Sequence, residues 1–254
     1  MNLAKKIARN TLIQVIGKVV STVLGLFSLA LITRYLGQDG FGKYTTIATF
    51  LTFFATIADL GLTLITVQMI SGRKGEEENR LLKNLFGLRL FSALLFIGLA
   101  PIIVLFFPYG ADIKYGVLIF SASFVFPALN QVLIGLFQKN LSMERDTWAE
   151  IIGRVFLLAG LVIVQKSASG LNGVLAVSVA ASAVNFLFHL LWARKFSTIG
   201  ISFDFKLWRE IIGRSWPLAV TIVLNLIYLR ADTLILSLYE PAGTVGLYGA
   251  AYKI

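Results

Sequence analysis

Apolar residues run along this chain in long stretches separated by short polar connectors. A helix needs about 20 apolar residues to cross the hydrocarbon of a bilayer. Stretches of that kind occur at residues 11–36, 42–69, 84–107, 115–138, 147–165, 171–193 and 212–238, and an eighth begins near Thr244. The connectors Gly37-Gln38-Asp39-Gly40, Pro108-Tyr109-Gly110-Ala111-Asp112 and Glu240-Pro241-Ala242-Gly243 are rich in turn residues. None is long enough to hold a folded domain outside the membrane. The pattern predicts an all-α, polytopic integral membrane bundle.

Polar residues inside the spans are ordered. Thr45, Thr49, Thr52, Thr56, Asp59, Thr63 and Thr66 follow one another in steps of four and three, which puts them on one helix face. Threonine hydroxyls alone are unremarkable, because they bond back to their own helix. Asp59 differs, since a charge at the centre of a span costs about 2.5–3.5 kcal/mol and almost always faces a bundle interior or a wet cavity. The first span repeats the device with Thr11, Gln14, Lys18, Ser21, Gly25 and Ser28. The sixth carries Ser178, Ser182, Asn185 and His189, and the seventh Thr221, Asn225, Tyr228 and Asp232. A hydrated cavity shared by the first, second and seventh helices would satisfy their ionisable groups together, where separate burial needs a partner for each.

Lys18, Arg89, Arg154 and Arg230 also fall within spans. The first three sit at similar depth, roughly 8–12 Å from the helix starts at 1.5 Å per residue, and predict a positive ring around an anionic group. The blander reading has Arg89 and Arg154 snorkelling to the headgroups, with Glu150 one turn before Arg154 as its partner. Asp59 then pairs with an interior cation, Arg230 and Asp232 anchor the outer leaflet, and His189 is interfacial. Arg73-Lys74-Gly75-Glu76-Glu77-Glu78 reads as a solvated loop. Pro101, Pro127 and Pro217 offer kinks.

Composition sharpens the picture. Of 254 residues, 57% are hydrophobic and 14% charged, well outside the balance of a soluble domain. There is no cysteine, which excludes disulfides, thiolate metal sites and a cysteine nucleophile. The net charge of +10 reports topology rather than nucleic-acid binding. With the N-terminus in the cytoplasm, fourteen Lys and Arg fall in inner loops, and four (Arg34, Lys43, Lys114 and Lys166) fall outside. Lys5, Lys6 and Arg9 precede an apolar run too long for a cleavable signal core, so the first span is retained. No cofactor motif or hydrolase signature occurs, which points away from an enzyme.

Several short motifs carry a family resemblance. They are Ala8-Arg9-Asn10-Thr11; Leu31-Ile32-Thr33-Arg34-Tyr35-Leu36-Gly37 with Gly40-Phe41-Gly42-Lys43-Tyr44; Ala58-Asp59-Leu60-Gly61-Leu62; Gly135-Leu136-Phe137-Gln138-Lys139 with Met143-Glu144; Arg230-Ala231-Asp232; and the run Val245 to Ile254. In this order they resemble the polysaccharide biosynthesis and transport branch of the multidrug/oligosaccharidyl-lipid/polysaccharide exporter superfamily, the Wzx-type O-antigen flippases. The resemblance implies 12 to 14 helices in two lobes around a cavity lined by helices one, two, seven and eight. Residues 1–194 would then form a six-helix lobe, 195–211 a cytoplasmic linker, and 212–254 the start of a second, truncated lobe.

On that footing the expected activity is movement of a polyprenyl-pyrophosphate-linked oligosaccharide across the cytoplasmic membrane by alternating access. Lys18, Gln14, Arg89, Arg154, Asn225 and Arg230 are the candidate substrate contacts. Asp59 and Asp232 are the candidates for proton or sodium coupling. The rivals are a cation-coupled multidrug antiporter, a peptidoglycan-precursor flippase, and a membrane glycosyltransferase, whose catalytic outer loop this chain lacks.

Overall fold

The computed structural model describes residues 3–251; the side chains of residues 3–9, among them Lys5, Lys6 and Arg9, and residues 252–254 lie outside that description. The described chain is helical, with no strand. It runs α1 (Leu3–Asp59), α2 (Leu62–Ile70), α3 (Gly75–Ile103) with a 3₁₀ turn at Val104–Phe106, α4 (Ala111–Lys139), α5 (Glu144–Ser167), α6 (Gly170–Ala193), α7 (Phe205–Tyr239) and α8 (Ala242–Ala251).

The first two predicted spans are joined with almost no connector. Within α1 only Gly37 leaves helical geometry, at φ 66° and ψ −175°, a conformation open to glycine because it has no Cβ. Gln38, Asp39 and Gly40, expected as a turn, are helical. The reversal is plain from contacts. Lys18 and Tyr44 line one cavity, although 26 residues of straight helix would part them by about 39 Å. The first limb of α1 (residues 3–36) lies beside α5 and runs parallel to it. Asn10 accepts from the Met143 amide at 3.0 Å, Gly17 lies against Thr147 and Gly25 against Arg154, and Tyr35 donates to the Val164 carbonyl at 3.2 Å. The second limb (residues 38–59) returns along α4, from the Lys43–Asp112 ion pair to Gly116 against Ile47.

The chain therefore makes seven passes between two ends, counting both limbs of α1. Residues 71–74, 140–143 and 194–204 gather at one end, and residues 37, 107–110, 168–169 and 240–241 at the other. Ion pairs and hydrogen bonds tie each end internally. Lys139 bonds Glu78 at 2.6 Å and the Arg73 carbonyl at 2.6 Å, whereas Tyr109 meets Ser237 at 2.7 Å and Gln38 reaches the Gly243 carbonyl at 3.3 Å at the far end. Leu12, Val19, Val23, Leu26 and Phe27 of the first limb are exposed, as suits helices solvated by lipid rather than water. Among the described residues, six helical stretches are long and apolar enough to cross a membrane, and the chain is a multi-pass membrane protein.

Two sequence expectations are corrected here. The run Glu76-Glu77-Glu78 is no loop: it forms the first turn of α3, where carboxylates favour the positive end of the helix dipole. Likewise α7 begins at Phe205, seven residues before the predicted span. Asp204 caps it, accepting from the Leu207 amide at 3.1 Å. The connector 194–204 is fastened to α3 by Ser202 N–H to the Lys83 carbonyl (3.2 Å), Asp204 N–H to Asn84 (2.9 Å), Ser197 to Asn79 (2.5 Å) and Arg80 to Asp204 (2.8 Å).

The Arg80 hydrogen bond, joined by the Leu207 amide, holds the Asp204 carboxyl below its ordinary range. A carboxyl depressed on folding contributes stability at pH values above its unfolded pKa of about 3.9, lost as pH falls through the folded value. Below about pH 4 the wild type should therefore lose melting temperature relative to pH 7, and Asp204→Asn should lose less. Thermal melts of the detergent-solubilised protein between pH 3 and 7 would read the difference.

Candidate functional site

A polar hollow opens between the first limb of α1, the start of the second limb, α4, α5 and α6. Its larger part has a volume of about 520 Å³ and its smaller about 350 Å³, and the two share Lys18, Tyr44, Glu150, Arg154 and Leu157. Such volumes are those of small-molecule sites. The α1 stripe supplies Lys18, Ser21, Gly25 and Ser28 to the smaller part. The α6 stripe supplies Ser178, Ser182, Asn185 and His189 to the larger, opposite Asn130 and Gln131 of α4. Helix α5 contributes Asp146, Glu150 and Arg154, four residues apart and so on one face.

The arrangement is polar and near charge balance. Arg154 lies 3.8 Å from Glu150, and its guanidinium lies against Gly25 of the first limb. Lys18 has no ion-pair partner among the described residues. Asn130 donates to Asn185 at 2.6 Å. The buried oxygens Ser21 Oγ and Asn130 Oδ1 have no protein partner, so a ligand hydroxyl or water would satisfy them. His189, expected at the interface from its place near the helix end, is enclosed by protein. It is 2% exposed, meets Asp146 at 3.0 Å and stacks on Phe137.

The three-cation ring is not formed. Arg89 is 1% exposed and lies outside the hollow, paired with Asp59. The pair sits where the second span breaks: Leu60 and Gly61 both take positive φ, 50° and 72°, and α2 starts anew at Leu62. A broken helix leaves carbonyls without amide partners. Arg89 Nη1 donates to the Asp59 carbonyl at 3.1 Å as well as to its carboxylate, Arg89 Nη2 donates to Thr63 Oγ1 at 2.8 Å, and Ser92 donates to the Ala58 carbonyl at 2.8 Å. Thr63 in turn donates to the Asp59 carboxylate.

The single threonine face therefore ends at Asp59. Thr52, Thr56 and Thr66 bond back to the carbonyls four residues earlier, and Thr45 packs against Gly249 of α8. Nor does α7 join a shared hollow. Asn225 is exposed, Arg230 half-buried, and Asp232 takes a hydrogen bond from Tyr248 of α8 and one from the Thr233 amide at 2.6 Å. Gln14 is half-buried one turn from Lys18, outside the lining. Of the eight residues singled out in the sequence, Lys18 and Arg154 meet in the hollow. Asp146 and Asn130 were missed, and Glu150 was weighed only as the partner of Arg154, which it is; the four-residue spacing of Asp146, Glu150 and Arg154 was the available signal.

A family model described as polysaccharide biosynthesis protein matches residues 7–254. The chain belongs to the polysaccharide biosynthesis protein family. No curated protein matches it by sequence. Among solved structures, the fold of this family member is similar to that of the lipid II flippase MurJ in an inward closed conformation, at 19% identity and a TM-score of 0.69, over 95% of this chain and 54% of that one. It is also similar to a MATE protein crystallised with MaD3S, at 17% identity and TM-score 0.64, over 98% of this chain and 64% of the other. An outward-facing multidrug resistance MATE transporter of the MOP superfamily gives 14% identity and 0.57, over 98% and 62%. The chain thus spans about half to two thirds of the length of the structures it matches. At these identities the likeness establishes a shared helical fold.

Proposed function

We propose that this polypeptide serves in an exporter that moves a polyprenyl-pyrophosphate-linked oligosaccharide across the cytoplasmic membrane by alternating access, with its N-terminus in the cytoplasm, as in a Wzx-type O-antigen flippase. The observation that carries the reading is the polar hollow of the bundle, in a chain of a polysaccharide biosynthesis family whose fold is similar to that of a lipid II flippase. Lys18 and Arg154 would engage the pyrophosphate through charge-assisted hydrogen bonds. Asn130, Gln131, Ser178 and Ser182 would bond sugar hydroxyls, and the lipid tail would stay in the bilayer. Arg89 leaves the set of substrate contacts, because it is buried outside the hollow with both Nη atoms committed to the helix break.

A second reading, a cation-coupled multidrug exporter, is favoured by Asp146 and Glu150 in the hollow beside Tyr44 and Phe120 and by the two MATE neighbours. Vesicle transport separates the two. With full-length protein, Lys18→Ala should slow flipping of the lipid-linked sugar at least about tenfold, the effect of losing one charged hydrogen bond of about 1.5–3 kcal/mol. Unchanged flipping would remove Lys18 from the site. Extrusion of an organic cation with no sugar flipping would establish the second reading.

A further inference from the structure

His189 is the one histidine in the sequence, and its ring nitrogens face a carbonyl oxygen, which only accepts, and a carboxyl oxygen, which only accepts when ionised. Nδ1 lies 2.9 Å from the Asn185 carbonyl oxygen, and Nε2 lies 3.0 Å from Asp146 Oδ1. A neutral imidazole has one N–H and one lone pair. It can satisfy one of these partners, and at the other it would set a lone pair against an oxygen at hydrogen-bond distance. Turning the ring over would put carbon at both oxygens and lose both bonds. The contacts close only when one proton more than neutral His and ionised Asp is present.

Helix geometry says where that proton resides. Asp146 stands in the first turn of α5, where the helix dipole favours a carboxylate, so the proton belongs on the imidazole. We propose that Asp146 and His189 form a proton-binding site at one end of the hollow, occupied as an imidazolium–carboxylate pair. The proposal deepens the exporter reading, because it places an exchangeable proton within the polar lining. Asp59 and Asp232, the carboxylates that the sequence offered for coupling, both lie outside it.

Among the described residues, the charged or titratable groups that share the hollow with the pair are Lys18 from the first limb of α1, Tyr44 from the second, and Glu150 and Arg154 from α5 itself. Helix α4 presents neutral Asn130, Gln131 and the Phe137 ring. Arg145 points away, over the Phe196 ring and onto the Trp192 carbonyl. With the proton on, the described lining residues place Lys18, Arg154 and His189 against Asp146 and Glu150, a net single positive charge; with it off, these charges cancel. Proton occupancy therefore decides whether the hollow attracts an anion. By linkage, an anion bound there favours proton uptake to the same degree.

A single histidine makes the test direct. Imidazole-¹⁵N-histidine is incorporated into the whole 254-residue chain in lipid nanodiscs, and the ring N–H resonances are recorded at pH 7. Two N–H signals are expected for the wild type. One is expected for Asp146→Asn, because the new amide can donate to Nε2 and leave the ring neutral. A single N–H in the wild type overturns the proposal without any variant, and two in both proteins overturn Asp146 as the partner. The readout needs no transported substrate, so failure of the exporter reading would show separately, as absent flipping by a protein that still gives both signals.

Discussion

Arg89→Ala should cost about 3–5 kcal/mol of stability, the range for removing one partner of a buried ion pair. The cost arises because the Asp59 carboxylate stays behind, 18% exposed, and loses its counter-charge. The main-chain oxygen of Asp59 loses its donor at the same time, as does Thr63. Replacing both charges with apolar groups should be far milder, since the desolvation penalty disappears along with the attraction. Denaturant unfolding of Arg89→Ala and of Arg89→Met with Asp59→Leu in matched detergent would check this. If Arg89 served only to hold a substrate phosphate, the single variant would unfold like the wild type.

The second large effect is expected at Gly61. Its φ of 72° is one that a side chain adopts at a cost of about 1–2 kcal/mol. A Cβ there would also come within 2.6 Å of the Ser215 carbonyl oxygen and 2.9 Å of the Ala219 amide on α7. Crowding of that kind in a packed interior costs about 1–3 kcal/mol more. Gly61→Ala should therefore destabilise by about 2–5 kcal/mol and push α7 from the break. A cysteine pair engineered between the α2 start and α7 should cross-link readily in the parent and poorly in the variant. Equal cross-linking would mean that α7 is not seated on this glycine.

These two positions also show what the sequence could reveal. Number and placing of the passes were legible, because membrane-crossing length and apolar content are properties of each segment alone. The stripes of α1 and α6 were legible as faces, and both line the hollow. The convergence of α1, α2 and α7 was not legible. Helical periodicity assumes that a helix continues, and the threonine face runs through Leu60-Gly61, where the backbone turns left-handed. A glycine in an apolar run does not announce a break, and a leucine at positive φ gives no warning at all. Asp59 looked like a cavity residue because its partner lies 30 residues away in sequence, on α3, and pairing at that range leaves no periodic trace.

The enclosure of His189 was illegible for a related reason. Its position near a helix end suggested the interface, but Asp146 and Phe137 come from two other helices and enclose it. The Asp146-Glu150-Arg154 spacing was visible, yet Glu150 alone was weighed, as a neighbour of Arg154.

The fastening of residues 194–204 along α3 has a mechanical consequence. Four hydrogen bonds join this stretch to Asn79, Arg80, Lys83 and Asn84, so the strap between α6 and α7 has no slack to take up. A shift at the root of α7 would pull on α3, which carries Arg89 about one and a half turns beyond Asn84. Force applied at that root thus reaches the pinned fracture in the second pass, coupling two places that share no covalent neighbour.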